Sequence, residues 1–335
     1  MNENKMNATP RKTDAPQSAR VQKDASIPMF LCLVSMAVSL VALIINAFVY
    51  PFGNGLLAPA IIEILAIAFP CYLVLLSIYP NKSAADFLRT AGYRRIGARH
   101  IFFMLFAALF MMSASMIASV IFGGAYSMAK GFTLLGVFTA GEHEFSVSWP
   151  YLVLVYAALP ALCEELLLRG MVFSQLKDSG FAAAAAVSAV MSGLIGFSLG
   201  GFIPAVVAAA VCCFVFYTTG SLWSCVIVKL LFNLYRLFWE SNIAAYYTST
   251  ASKGLILVVM FVLLFLSAAL FFGESARIYR QESQRAREGG QNNKTLSLGT
   301  FAEDVKGIIA YRPTLILLCS CGAIFIAAVI ISYLT

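Results

Sequence analysis

Long apolar runs broken by short polar stretches dominate this 335-residue chain. Nine runs stand out, near residues 27–50, 56–79, 101–122, 149–170, 181–199, 203–218, 221–239, 254–273 and 314–334. Each is close to the ~20 residues a helix needs to cross the hydrocarbon core of a bilayer. The pattern predicts an all-α polytopic membrane protein of about nine transmembrane helices, with the fifth, sixth and seventh short and closely spaced. The first run follows a polar tail of 26 residues and is itself 24 residues long. That is too long for a signal-peptide core, and no small-residue cleavage site accompanies it, so it reads as an anchor.

Composition agrees with the pattern. The chain is 61% hydrophobic and 12% charged, with mean hydropathy +0.85. A soluble domain carries about a quarter charged residues. The net charge of +7 is unevenly placed. Lys and Arg crowd the tail 1–26, the loop 81–100, Lys177 and the stretch 274–313, whereas the alternate loops hold only Lys130 and Lys253. Under the positive-inside rule this puts the N-terminus in the cytoplasm and the C-terminus outside. The basic loops would then face an anionic inner leaflet. The charge is thus a topology signal; membrane lipids are the expected contact and nucleic acid is not. The expected setting is a bacterial plasma membrane.

The expected organisation is a disordered cytoplasmic tail (1–26), then N-terminal helices with a large exterior loop (27–148). A helical core (149–239) and an eighth helix (240–273) follow. A charged cytoplasmic linker (274–313), starting as a helical extension, leads to a last helix (314–335). All eight cysteines fall inside apolar runs. They read as small buried hydrophobes, with no disulfide framework and no metal spacing. His143, between Glu142 and Glu144, is a poor ligand set and reads as part of a solvated loop. No cofactor is implied.

The chemistry concentrates in the fourth run. Trp149 to Phe173 reads WPYLVLVYAALPALCEELLLRGMVF, with Glu164, Glu165 and Arg169 near one end. Ionisable groups at bilayer depth cost at least a few kcal/mol and mark functional sites by default. The helical rise puts Glu164 about 9–14 Å inside the cytoplasmic face and Lys229, in the seventh run, about 12 Å deep. Glu164, Glu165 and Lys229 can therefore meet at one level. Asn233 lies four residues beyond Lys229 on the same face, and Glu165 can pair with Arg169 at the same spacing. A second pair is expected between Arg236 and either Glu63, on the second run, or Glu240, one turn on.

Glu164-Glu165-Leu-Leu-Leu-Arg169 has the form E-E-x-x-x-R. Thr219-Gly-Ser-Leu-Trp223 follows about fifty residues later and runs into SCVIVKLLFN. Together, across 149–239, these resemble the CPBP family of CAAX-protease and bacteriocin-processing intramembrane endopeptidases, also called the Abi family. The resemblance implies glutamate-based peptide hydrolysis inside the membrane. The first Glu activates water, a His of an F-x-x-x-H motif assists it, and a His with Asn or Asp stabilises the oxyanion. Candidate catalytic residues are thus Glu164, Glu165, Arg169, Lys229 and Asn233.

The chain departs from the family pattern at both histidines. On the fifth run the Phe position reads Ile195 and the His position Leu199; in the last motif the His position reads Lys229. Leucine can neither take a proton nor orient water, and an acid–base group is worth about 10²–10⁴-fold in rate. Lys229 can donate to an oxyanion or hold a structural ion pair. The favoured reading is a protease-like cage with lost or reduced proteolysis that binds a membrane protein or peptide client. An active atypical endopeptidase using Glu164 with Lys229 and Asn233 is the alternative. A transporter or channel component is a third, for which internal repeats and paired broken helices are missing.

Overall fold

The computed structural model describes residues 17–45, 64–78, 92–123, 149–176, 180–196, 199–240, 253–288, 305–306 and 312–334. Among these residues the chain is almost wholly helical, with no strand. The helices are α1 (Gln17–Ile44) and α2 (Ile64–Ala68 continuing as Phe69–Ile78). Next come α3 (Ile101–Ala118, running on through Ser119–Gly123) and α4 (Trp149–Leu176). They are followed by α5 (Phe181–Ile195), α6 (Leu199–Thr219) and α7 (Leu222–Tyr235, extended by Arg236–Glu240). The last two are α8 (Lys253–Glu288) and α9 (Arg312–Leu334). Each covers one of the nine apolar runs. Five are long and apolar enough to cross a membrane, and four shorter apolar helices accompany them. This is an all-α, multi-pass membrane protein.

Some boundaries differ from those the hydropathy pattern suggests. α1 starts at Gln17, ten residues before the apolar run, because QSARVQKDAS is rich in good helix formers that extend an existing helix at little cost. α8 continues to Glu288, well past its apolar end. α5 stops at Ile195 and turns at Gly196, so Leu199 opens α6 instead of closing α5. The loop with His143, and Glu63, lie outside the described residues.

α4, α5, α6 and α7 form the centre, with α3 packed against α6 and α7. α8 lies on the outer side of α3, and α9 pairs with α1. α5 and α6 approach each other closely at Gly193. A Cβ on Gly193 would stand 2.7 Å from the Phe202 ring, so only glycine allows this spacing. Stacked aromatic rings join α3 to α8: Phe103 and Phe110 lie 5.3 and 5.4 Å from Phe271. On the other side of α8, Leu255 is 71% and Phe265 69% exposed, as suits a surface facing lipid. Seven of the eight cysteines are buried; Cys319 on α9 is exposed, and all eight are free thiols.

Candidate functional site

α4 is not a uniform helix. Val153–Ala158 and Leu166–Phe173 wind as π-helix on either side of a regular α-helical stretch, Leu159–Glu165. Pro160 supplies one cause: it has no N–H to give and its ring crowds the preceding turn. Gly170 and the Ser174 hydroxyl, which donates back to the Gly170 carbonyl, lie in or next to the second π segment. Single π turns within helices are frequent at functional sites. Here they bracket the stretch that ends in Glu164 and Glu165, a feature no residue pattern in the sequence announces.

The two carboxylates part company. Glu165 faces the bundle interior with 0% side-chain exposure, and Arg169 Nη1 stands 3.1 Å from its Oε1. Arg169 is equally sealed, at 1%, and its Nη2 donates to the Ala209 carbonyl of α6 at 2.8 Å. The contact with Glu165 is an ion pair without aligned hydrogen-bond geometry. Both Glu165 oxygens and Nε and Nη1 of Arg169 make no hydrogen bond among the described residues. The Cys212 thiol of α6 lies beside the carboxylate. Ser188 of α5 donates to the Leu168 carbonyl at 3.0 Å, fixing α5 against the same turn.

Glu164 points the other way, to α7. Lys229 Nζ is 3.0 Å from Glu164 Oε2, with 13% and 19% of the two side chains exposed. One turn further along α7, Asn233 Nδ2 donates to the Ala157 carbonyl at 3.2 Å, within the first π segment of α4. Four of the five residues singled out by sequence thus form two separate ion pairs, one within α4 and reaching α6 and one between α4 and α7, and the fifth, Asn233, joins α7 to α4. Neither pair includes an imidazole. His100 is buried at the start of α3, in the short turn Ala98–His100.

The fifth-helix position needs correction. Leu199 is 63% exposed at the first residue of α6, across a turn from Ile195, so the two do not share a helix face. The contact between Ser188 and Leu168 sets the register of antiparallel α4 and α5. One turn further, the same face of α5 presents Ser192, roughly level with Glu164. Ser192 is buried, at 8% exposure. The second expected ion pair is not described on its carboxylate side: Glu63 lies outside the described residues, and nothing is described of the Glu240 side chain. The Arg236 guanidinium lies 6.0 Å from the centre of the Phe232 ring.

A second group of contacts, absent from the sequence reading, secures the start of α7. Gly220 ends α6 in the left-handed conformation, φ +62°, with its N–H on the Phe216 carbonyl at 2.8 Å. The Leu222 N–H, one of the unpaired donors at the helix start, bonds the Gly92 carbonyl at 2.8 Å. The Ser221 hydroxyl donates to the Arg94 carbonyl. The Tyr93 ring meets Trp223 edge-on, centroids 5.0 Å apart. The segment TGSLW is thus the seat for a strap that enters from the loop before α3.

Among the described residues no group of three or more His, Cys, Asp or Glu side chains could hold a metal ion. Residues 146–235 match the family model of type II CAAX prenyl endopeptidase Rce1-like proteins. No curated protein and no solved structure matches the chain. The matched stretch contains both π segments of α4, both ion pairs and the TGSLW seat. Residues 146–235 thus carry a CAAX-protease-like domain, which supports the resemblance of this part of the chain to the CPBP family of membrane proteins.

Proposed function

We propose that this protein keeps the helical cage of an intramembrane endopeptidase but has lost or strongly reduced its hydrolysis, and uses the cage to bind a membrane protein or peptide. The observation that carries this reading is the 3.0 Å contact between Lys229 Nζ and Glu164 Oε2. A general base must offer a carboxylate oxygen to the water it activates, at hydrogen-bond distance. Here an ammonium is paired with one of the two carboxylate oxygens and ties the group into an ion pair. One of the two N–H donors of the Asn233 amide, the natural oxyanion donor, is given to the Ala157 carbonyl. α5 faces Glu164's level with a serine, so no imidazole supplements either group. We place the protein in a bacterial plasma membrane with its N-terminus in the cytoplasm, on the Lys and Arg asymmetry of its loops.

One observation favours an active, atypical enzyme instead. Glu164 and Lys229 retain some exposure, while Glu165 and Arg169 have almost none. A substrate carbonyl displacing the pair would meet a cationic donor in a low-dielectric site, where fixed donors count most.

The deciding experiment reads cleavage of a mixed peptide library by mass spectrometry, with full-length protein in lipid nanodiscs. Wild type, Glu164→Ala and the double variant Ser192→His with Lys229→His are compared. The proposal expects no cleavage by wild type, with activity appearing only in the double variant. Cleavage by wild type that vanishes in Glu164→Ala would establish the active enzyme.

A further inference from the structure

The strap Gly92–Arg94 lies outside the stretch that matches the family, yet it touches the site's frame at four points. Two are the backbone and hydroxyl bonds from Leu222 and Ser221, and the third is the edge-on contact of Tyr93 with Trp223. The fourth is Gly92 itself, whose φ of +97° is one that side chains rarely adopt. A Cβ there would stand 3.3 Å from the Phe216 ring, so the strap runs close against the end of α6. Arg94 and Arg95, next in the chain, are exposed, while Tyr93 is half-buried. Its phenol lies within electrostatic range of Cys163 and Glu165 on α4, Cys71 on α2 and Cys225 on α7. Burial, and then these neighbours, push the phenol well above its ordinary range.

We infer that Gly92–Arg94 is a strap over the Leu176 and Leu222 end of the α4–α7 cage, and that Tyr93 is the plug that controls entry to the carboxylates. The strap holds the start of the helix that carries Lys229 and Asn233, so lifting it both opens the approach and frees that helix to shift. Tyr93 is a positioning residue: it acts on access and on α7, not on a reacting atom. The inference goes beyond the proposed function and does not depend on whether the cage cuts what it admits.

The test measures how fast a small methanethiosulfonate reagent modifies each cysteine of the full-length protein in nanodiscs, read peptide by peptide by mass spectrometry. Tyr93→Ala is expected to speed modification of Cys163 and Cys225 about tenfold, the opening that follows from losing one edge-on ring contact and the area beneath it. Cys32 and Cys321, buried between α1 and α9, keep their wild-type rates, and Tyr93→Phe restores slow modification everywhere. Trp223→Ala, which removes the exposed ring against which Tyr93 rests, gives the same pattern should Tyr93→Ala not accumulate. Wild-type rates at Cys163 and Cys225 in both alanine variants would overturn the inference. So would an equal acceleration at all four cysteines, the mark of general loosening. No cleavage is read, so failure here leaves the lost-protease reading standing, and the reverse holds too.

Discussion

At the scale of single residues, the two neighbouring glutamates have different work. Glu165 belongs to a sealed pair with Arg169, whose guanidinium also reaches the Ala209 carbonyl and so ties α4 to α6. Removing one member of a buried pair leaves an uncompensated charge and costs about 3–5 kcal/mol. Arg169→Ala should therefore unfold at much lower temperature in detergent. Arg169→Lys should recover little of that loss, because an ammonium lacks the fork that reaches two partners at once. The partly exposed Glu164–Lys229 pair is a weaker brace. Lys229→Met should cost less than Arg169→Ala, because Glu164 keeps some exposure where Glu165 has none. The comparison is a pair of melting curves. Equal losses at Arg169 and Lys229 would show that the two pairs are not the separate devices described.

At the scale of elements, the helices are held by close approach and by special backbone turns. Gly193→Ala puts a methyl 2.7 Å from Phe202, and overpacking of this kind costs about 1–3 kcal/mol. Trimming the obstacle, in Gly193→Ala with Phe202→Leu, should return part of the stability; no recovery would mean that the hairpin's spacing is not set at this contact. Gly220 is a different case. A Cβ there meets nothing within 4 Å, so the cost of Gly220→Ala comes from the left-handed backbone alone, about 1 kcal/mol. That change should also disturb the strap's seat, raising Cys225 reactivity more than Cys321 reactivity.

At the scale of the whole molecule, the arrangement is a central α3–α7 group flanked by α8 on one side and by α1 with α9 on the other. If all nine apolar helices cross, the termini lie on opposite faces. A fluorescent protein fused before residue 1 should then fluoresce, and alkaline phosphatase fused after residue 335 should be active, since each reporter works on one side only. Both reporters scoring the same side would remove one crossing, and the short helices α2 and α5 would be the first to re-examine.

The chain's order of hydrophobicity alone determined that this is a helical membrane protein, roughly where its helices lie, and that charge gathers where α4 and α7 meet. These properties are local: a run of apolar residues has one low-energy arrangement in lipid, and residues four apart share a face whatever surrounds them. The E-E-x-x-x-R and TGSLW segments likewise carried the family resemblance in their own letters. What only the tertiary structure decided depends on how helices are rotated and shifted against each other. Depth left Glu164 and Glu165 both level with Lys229; rotation of α4 gave Lys229 to Glu164 and turned Glu165 to Arg169. The end of α5 was misplaced by hydropathy because an apolar turn at Gly196 looks no different from an apolar helix. The strap on TGSLW was invisible because its bonds are made by backbone carbonyls of Gly92 and Arg94, and every residue has one.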